Sequence, residues 1–284
     1  MINCTFYLIA LATGTGTQEY ISSLYHKGAS KHEILVTGIP HGWIHKPLQQ
    51  DAARLTNHNW DLLLITKGSL GSLIAAKDHT ITAFITADFG MPQQQYQRLV
   101  LRKDKDSAAG NSSNHPVQLP AEWADPDTDS LRIPARYIVE PYDDPFKAGI
   151  LRLQPSMVDF LSNALPKEVQ NKAVSLFNLF KYTNGDSSVH DQYMRDFEEG
   201  FGDSAGAYVK LMGPLQSQLR GTEESMGETS VEGLGWQDVD LVQYDTIYHY
   251  AYMLSTDLYQ KLNVDKVKGL EDTCILVVSE TKIM

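Results

Sequence analysis

Residues 4–12 read CTFYLIALA and residues 173–181 read AVSLFNLFK, two short apolar runs that each lead into a helical stretch, 17–27 and 189–200. Each half then offers a second strand, a third strand opened by tryptophan, a short helix and a closing strand. The third strands start at Trp60 (WDLLLI) and near Trp236 (WQDVDLVQY). One β-α-β-β-α-β order written twice predicts two modules of the same kind facing each other within one chain.

The first module begins with a strand over 5–12, where β-branched and aromatic residues favour strand over helix. The turn TGTGT (13–17) follows; Gly14 and Gly16 lack the spacing of a phosphate-binding loop. Thr17 is a candidate cap for the next helix, whose apolar stripe is Tyr20, Ile21 and Leu24. A second strand over 33–46 is interrupted by Pro40 and Gly42, which predicts a bulge or an edge position. A strand over 60–66, a short helix over 70–77 and a strand over 80–86 complete the set.

The middle of the chain, 89–170, is polar: QQQYQ (93–97), KDKDSAAGNSSNHP (103–116) and ADPDTDS (124–130) read as loop, either a lid or a linker. Structure resumes near 132–139, and a helix over 155–165 has Ser156 as cap and Met157, Phe160 and Leu161 inward. The second module has strands over 173–182, 207–215, 239–244 and 273–280. Its helices span 189–200 and 245–260, with a solvent loop at 220–235. The expected organisation is 1–90, first module; 91–170, irregular linker with a short helix; 171–284, second module.

Composition narrows the function classes. With 284 residues, 42% hydrophobic and 21% charged, the chain has room for two ordinary globular units. A net charge of −11 argues against nucleic acid and anionic membranes as partners. The first apolar run lacks a preceding basic residue and is too short for a membrane span, so a cytoplasmic protein is expected. Cys4 and Cys274 fall in apolar strands and are expected as buried free thiols. No GxSxG, HExxH or nucleotide-binding loop occurs, which lowers hydrolase, metalloprotease and kinase readings.

A family resemblance rests on NLFKY (178–182), the helix with Tyr193, Trp236 with DLVQY (240–244), DTIYHYAYMLSTDLYQ (245–260) and GLEDTCILV (269–277). With these the second module resembles the dimeric α/β-barrel superfamily, in a domain-of-unknown-function branch related to the EthD-like and antibiotic-monooxygenase-like groups. The first module resembles it more weakly, through strand order and Trp60-Asp61. Gln237 stands where an acid is usual, so no role of that acid carries over. The resemblance implies two ferredoxin-like sheets closing one barrel within the chain. It also implies action on small, often aromatic or polyketide-like molecules: cofactor-free cyclisation, isomerisation, decarboxylation or oxygenation, with haem chemistry in distant branches.

Several polar residues in core-like settings are candidates for chemistry. His41 and His45, four apart, share a face of an unbroken strand and can serve as base and orienting group; a solvent-facing edge strand is the plainer account. They can also serve as two metal ligands, although two histidines without a nearby acid are a weak metal signal, and no metal is expected. His58 and His79 sit in polar connections and read as surface residues. His249 lies mid-helix with Tyr252 and Met253 at i+3 and i+4, near Tyr244 and Tyr248. A Tyr/His pair beside an apolar cavity can move a proton on an enol or phenol; an aromatic helix face packed on the sheet is the competing account. Asn178 and Tyr193 are polar within core-like elements, and Asp238 and Asp240 share one face of a strand, where like charges raise one pKa unless both are solvated.

The expectation is an α+β chain of two ferredoxin-like modules, acting on a small apolar or aromatic metabolite as monomer or homodimer. The catalytic candidates are His249, Tyr252, Tyr193, His45 and His41; the substrate-binding candidates are Asn178, Tyr244, Trp43 and Met253. No cofactor is expected. The alternatives are a non-catalytic binding or scaffold protein, and a haem protein using His41, His45 or His249 as axial ligand.

Overall fold

The computed structural model describes residues 1–30, 33–48, 51–74, 78–106, 117–125, 127, 131–140, 151–221 and 235–281. Its strands are β1 (Ile2–Leu11), β2 (Ile34–His45), β3 (Leu62–Lys67), β4 (Ile81–Met91), β5 (Val174–Tyr182), β6 (Ala207–Pro214), β7 (Arg220–Gly221), β8 (Asp238–Tyr244) and β9 (Leu270–Glu280). Its helices are α1 (Thr17–His26), α2 (Ala52–Thr56), α3 (Gln93–Asp106), α4 (Pro155–Asp159), α5 (Lys167–Gln170), α6 (Ser188–Asp196), α7 (Ile247–Ser255) and α8 (Asp257–Lys268). Wider π turns extend α4 through Phe160–Ala164 and α6 through Phe197–Phe201.

All the strands belong to one antiparallel nine-stranded sheet, in the order β6-β8-β5-β9-β2-β3-β1-β4-β7. This overturns the expected pair of ferredoxin-like β-α-β-β-α-β modules. The N-terminal half places α2 between β2 and β3, and no helix is described between β3 and β4. The two halves also share one sheet, because β2 pairs with β9 from Gly38↔Glu280 to His45↔Ile275. The cause lies in β2 itself. It meets β3 only over Ile34–Gly38, so its remaining N–H and C=O groups need a partner, and β9 supplies one. Bulges at Pro40/Gly42 and Trp43/His45 mark this seam, where the sequence expected a bulge or an edge.

One face of the sheet folds over on itself. Phe6 of β1 meets Phe177 of β5 edge to face at 5.1 Å, although β3, β2 and β9 stand between them. Around that contact pack Leu8, Phe89, Leu179, Leu241 and the free thiols Cys4 and Cys274, all buried. Each such Leu or Phe adds roughly 2–3 kcal/mol of apolar burial. Beyond β6 the chain turns back onto β4: Leu215 bridges Phe89, and Gln216 N–H donates to Asp88 O at 2.7 Å. Gly90 and Gly213 approach so closely there that a Cβ on Gly213 would lie 1.9 Å from Gly90 O. On the other face, α1 covers β1 and β3 with Tyr20, Ile21 and Leu24, as its stripe predicts. Helices α6, α7 and α8 cover the half built from β5, β6, β8 and β9.

Local departures have local causes. QQQYQ opens α3 rather than a loop, because Leu99 is buried and Gln95 Oε1 accepts from Met212 N–H at 3.0 Å. Residues 70–74 form a turn with Leu73 and Ile74 N–H donating to Leu70 O; 75–77 lie outside the described residues, as do 107–116 and 222–234. Gly16, not Thr17, caps α1, and Gln154 precedes α4 with Pro155 at its start, so Ser156 is not the cap. The expected helix over 245–260 breaks at Thr256, whose extended backbone (φ −87°, ψ 139°) and accepting Oγ1 start α8. Part of the middle segment is docked: buried Trp123 stacks on Tyr137 and meets Tyr252 edge to face, each at 5.7 Å. Among the described residues no helix is long and apolar enough to cross a membrane.

Candidate active site

Between the sheet and its helical cover, alternation along β5 and β8 sends Asn178 and Asp240 to the same side, and the register pairs them directly. The Asn178 amide donates to Asp240 Oδ1 in a short hydrogen bond and to Leu176 O at 3.2 Å. From above, α8 presents Tyr259, Asn263 and Lys266, an i, i+4, i+7 stripe that is buried throughout. Lys266 is 6% exposed and Asp240 3%. The Lys266 ammonium lies 5.1 Å from the Tyr193 ring centroid and 5.3 Å from that of Phe180. Among the described residues no carboxylate comes within ion-pair distance of it.

Burial dominates the electrostatics of this cluster. It pushes the Lys266 ammonium down to about 8, against the opposing pull of Asp240. It pushes Asp240 up to about 7, although the Asn178 amide and Lys266 both favour the anion. Asp238, bonded by the Tyr182 hydroxyl, is raised by burial to about 6. His190, wedged among Phe180, Tyr182 and Tyr193, is lowered by burial, with Lys266 adding to it, to about 3. Burial also holds the phenols of Tyr193, Tyr244 and Tyr250 well above their usual range, so they stay neutral and offer an O–H for hydrogen bonding. An acid and an amine displaced toward neutrality from opposite sides form a pair able to exchange protons near pH 7.

The cluster surrounds a cavity of about 30 Å³, lined by Asn178, Tyr193, Asp240, Tyr244, Tyr250 and Lys266 among others. Beside it runs a larger groove of about 210 Å³, with Trp43 and His45 of β2 on one wall and Met157 and Phe160 on the other. Leu151 lines both spaces. Gly42, at φ +141°, lets the groove wall close in: a Cβ there would lie 2.8 Å from the Phe160 ring. Arg152 also lines the groove and donates from Nε to Gln260 Oε1 at 3.1 Å. Burial lowers the His45 pKa, with Asp272 opposing and Lys266 adding to the fall, so His45 in the groove feels the charge of Lys266 in the cavity.

The sequence-derived candidates divide between these spaces. Asn178, Tyr193, Tyr244 and Met253 line the cavity, where the Tyr244 hydroxyl donates to Met253 Sδ at 3.3 Å. Trp43 and His45 line the groove. His41 lies apart from both, its Nε2 2.7 Å from Ser279 Oγ. His249 uses both ring nitrogens structurally: Nδ1 is 2.9 Å from Thr246 Oγ1 and Nε2 2.8 Å from the Val117 carbonyl, to which it donates. Tyr252 packs on Trp123. Gln237, at the position where an acid is usual, accepts from Tyr182 N–H through Oε1 at 2.7 Å. Among the described residues no group of three metal-ligating side chains occurs.

Sequence reasoning passed over Lys266, Tyr250, Tyr259 and His190. The α8 stripe was the available signal: Tyr259, Asn263 and Lys266 fall on one face, while Asp257, Lys261, Asp265 and Lys268 fall elsewhere. The chain matches no family model, and no curated protein matches it.

Proposed function

We propose that the protein is a cofactor-independent enzyme that moves a proton on a small apolar or aromatic metabolite, with Asp240 and Lys266 as the proton-handling pair. The observation that carries this reading is that both lie almost fully buried on one cavity, adjoining an aromatic-walled groove. A substrate body rests between Trp43, Met157 and Phe160, and its reacting end passes Leu151. Asp240, as carboxylate near neutral pH, takes a proton from carbon or a phenol. The ammonium of Lys266 faces the charge that develops on the substrate oxygen, in a site without bulk water. An enolate formed in this way is the common starting point of isomerisation, cyclisation and decarboxylation.

The test needs no knowledge of the natural substrate. Enolisable aryl ketones such as 1-indanone are incubated with the protein in D₂O, and loss of the α-proton signal is followed by NMR. Enzyme-dependent exchange that falls about 100-fold or more in Asp240→Asn supports the reading. Exchange no faster than buffer, or undiminished in that variant, sinks it and leaves a packed polar network of a binding or scaffold protein.

A further inference from the structure

We infer that Lys266 is a carbonyl-capturing amine and that the substrate class is an aldehyde or ketone bound as an imine, which rests on the reading of this cavity as the active site. The cavity brings together an amine and a phenol that, among the described residues, have no ion-pair partner and no acceptor respectively. Tyr250 is 1% exposed, lines the same space as Lys266, and its hydroxyl has no hydrogen-bond partner among the described residues. Asp240, which the Asn178 amide binds through Oδ1, lies beyond ion-pair distance of the amine, as does every other carboxylate among the described residues. Tyr193 and Phe180 hold the amine by their ring faces only, and these contacts weaken when the ammonium loses its proton. One ligand satisfies both unmatched groups: a carbonyl, with its carbon toward Lys266 Nζ and its oxygen toward the Tyr250 hydroxyl.

The step balances without a redox partner. The Nζ lone pair forms a bond to the carbonyl carbon, and the C=O π pair moves onto oxygen, steadied by the Tyr250 hydroxyl. A proton passes from nitrogen to that oxygen to give the neutral carbinolamine. Its hydroxyl takes up one further proton and leaves as water, while the nitrogen lone pair forms C=N and the iminium nitrogen then gives up its remaining proton. The net change is amine plus carbonyl to imine plus water. Asp240 is placed to hold the proton in transit, which suits a carboxyl raised by burial. At about 30 Å³ the cavity admits only the carbonyl head, so the rest of the molecule lies in the groove beyond Leu151.

Phenylacetaldehyde with sodium cyanoborohydride at pH 6.5 traps the imine as a stable secondary amine, and peptide mass spectrometry locates it. The amine lowered to about 8 keeps a larger neutral fraction at this pH than an ordinary lysine. The expected result is labelling of Lys266 at least about tenfold faster than the mean of the other lysines. That preference is expected to vanish in denaturant and to fall about tenfold in Tyr250→Phe. Labelling confined to surface lysines, with deuterium exchange intact, overturns the imine and keeps the proton-transfer reading. Absence of both overturns both. A Tyr250→Phe variant labelled as fast as the parent removes the phenol from the proposal, and Lys266 labelled no faster in the native than in the denatured chain removes the site.

Discussion

Asn178 and Asp240 face each other in register across β5 and β8, and the amide of the first donates to the carboxylate of the second. The pairing fixes one carboxylate oxygen and leaves the other carboxylate valence for chemistry. Asn178→Leu removes the donor and leaves a buried acid without its partner. It is expected to raise the Asp240 pKa further, to cost about 1–3 kcal/mol of stability at neutral pH, and to move the pH onset of deuterium exchange upward. A titration of exchange rate against pH in parent and variant checks this.

Stability should carry the two buried charges with opposite slopes. Asp240 is raised from 3.8 to about 7, so the folded state holds the extra proton in that window and stability falls as pH rises through it. Lys266 is lowered from 10.5 to about 8, so the unfolded state holds the extra proton there and stability rises with pH between those values. Urea melts across pH 4–10 of Asp240→Asn should have a shallower first slope that ends near pH 6, where Asp238 alone still contributes, and those of Lys266→Met should lack the second. Parallel curves in parent and variants would contradict the assignment.

Leu151 borders both the cavity and the groove, so shortening it should widen the passage from one to the other. Leu151→Ala is expected to lose about 2–5 kcal/mol of stability and to speed imine trapping at Lys266 severalfold. A bulkier Leu151→Phe should slow trapping. Denaturation and labelling rates on the same samples separate the two effects.

Gly213 has no room for a side chain, since its Cβ would meet the Gly90 carbonyl, a backbone atom that cannot swing aside. Gly213→Ala is expected to cost about 3 kcal/mol, seen as a lower urea midpoint. Gly200→Ala, where a Cβ meets nothing within 4 Å, should stay within about 0.5 kcal/mol of the parent.

His249 ties the start of α7 to the segment at Val117. His249→Ala should cost about 1–3 kcal/mol and raise hydrogen exchange in 117–123, while exchange in β5 stays low. Unchanged protection over 117–123 would show that the tie is not used.

The strand-forming runs were legible because burial on both faces writes an unbroken apolar signal: Phe6, Leu8 and Phe177 point one way, Tyr7, Ile9 and Leu176 the other. The single sheet was not legible, because joining β2 to β9 depends on which backbone groups β3 leaves unpaired, and no side-chain period records that. Asn178 and Tyr193 stood out as polar groups in apolar surroundings, and the structure puts both on the cavity. Lys266 did not, since a lysine near a helix C-terminus ordinarily faces water and complements the dipole. His249 attracted attention for its aromatic neighbours, but its ring nitrogens face Thr246 and Val117, partners fixed by the tertiary fold and invisible in spacing.

The position of β9 has a consequence for biosynthesis. It sits fourth among the nine strands, flanked by β5 and β2, yet it follows all of them in the chain. On the ribosome, β1 to β4 can pair as they emerge, but the sheet stays split until residues 270–280 are free. Until then β2 and β5 each expose an edge of unpaired N–H and C=O groups, a state that invites β-strand addition from other nascent chains and calls for holdase protection.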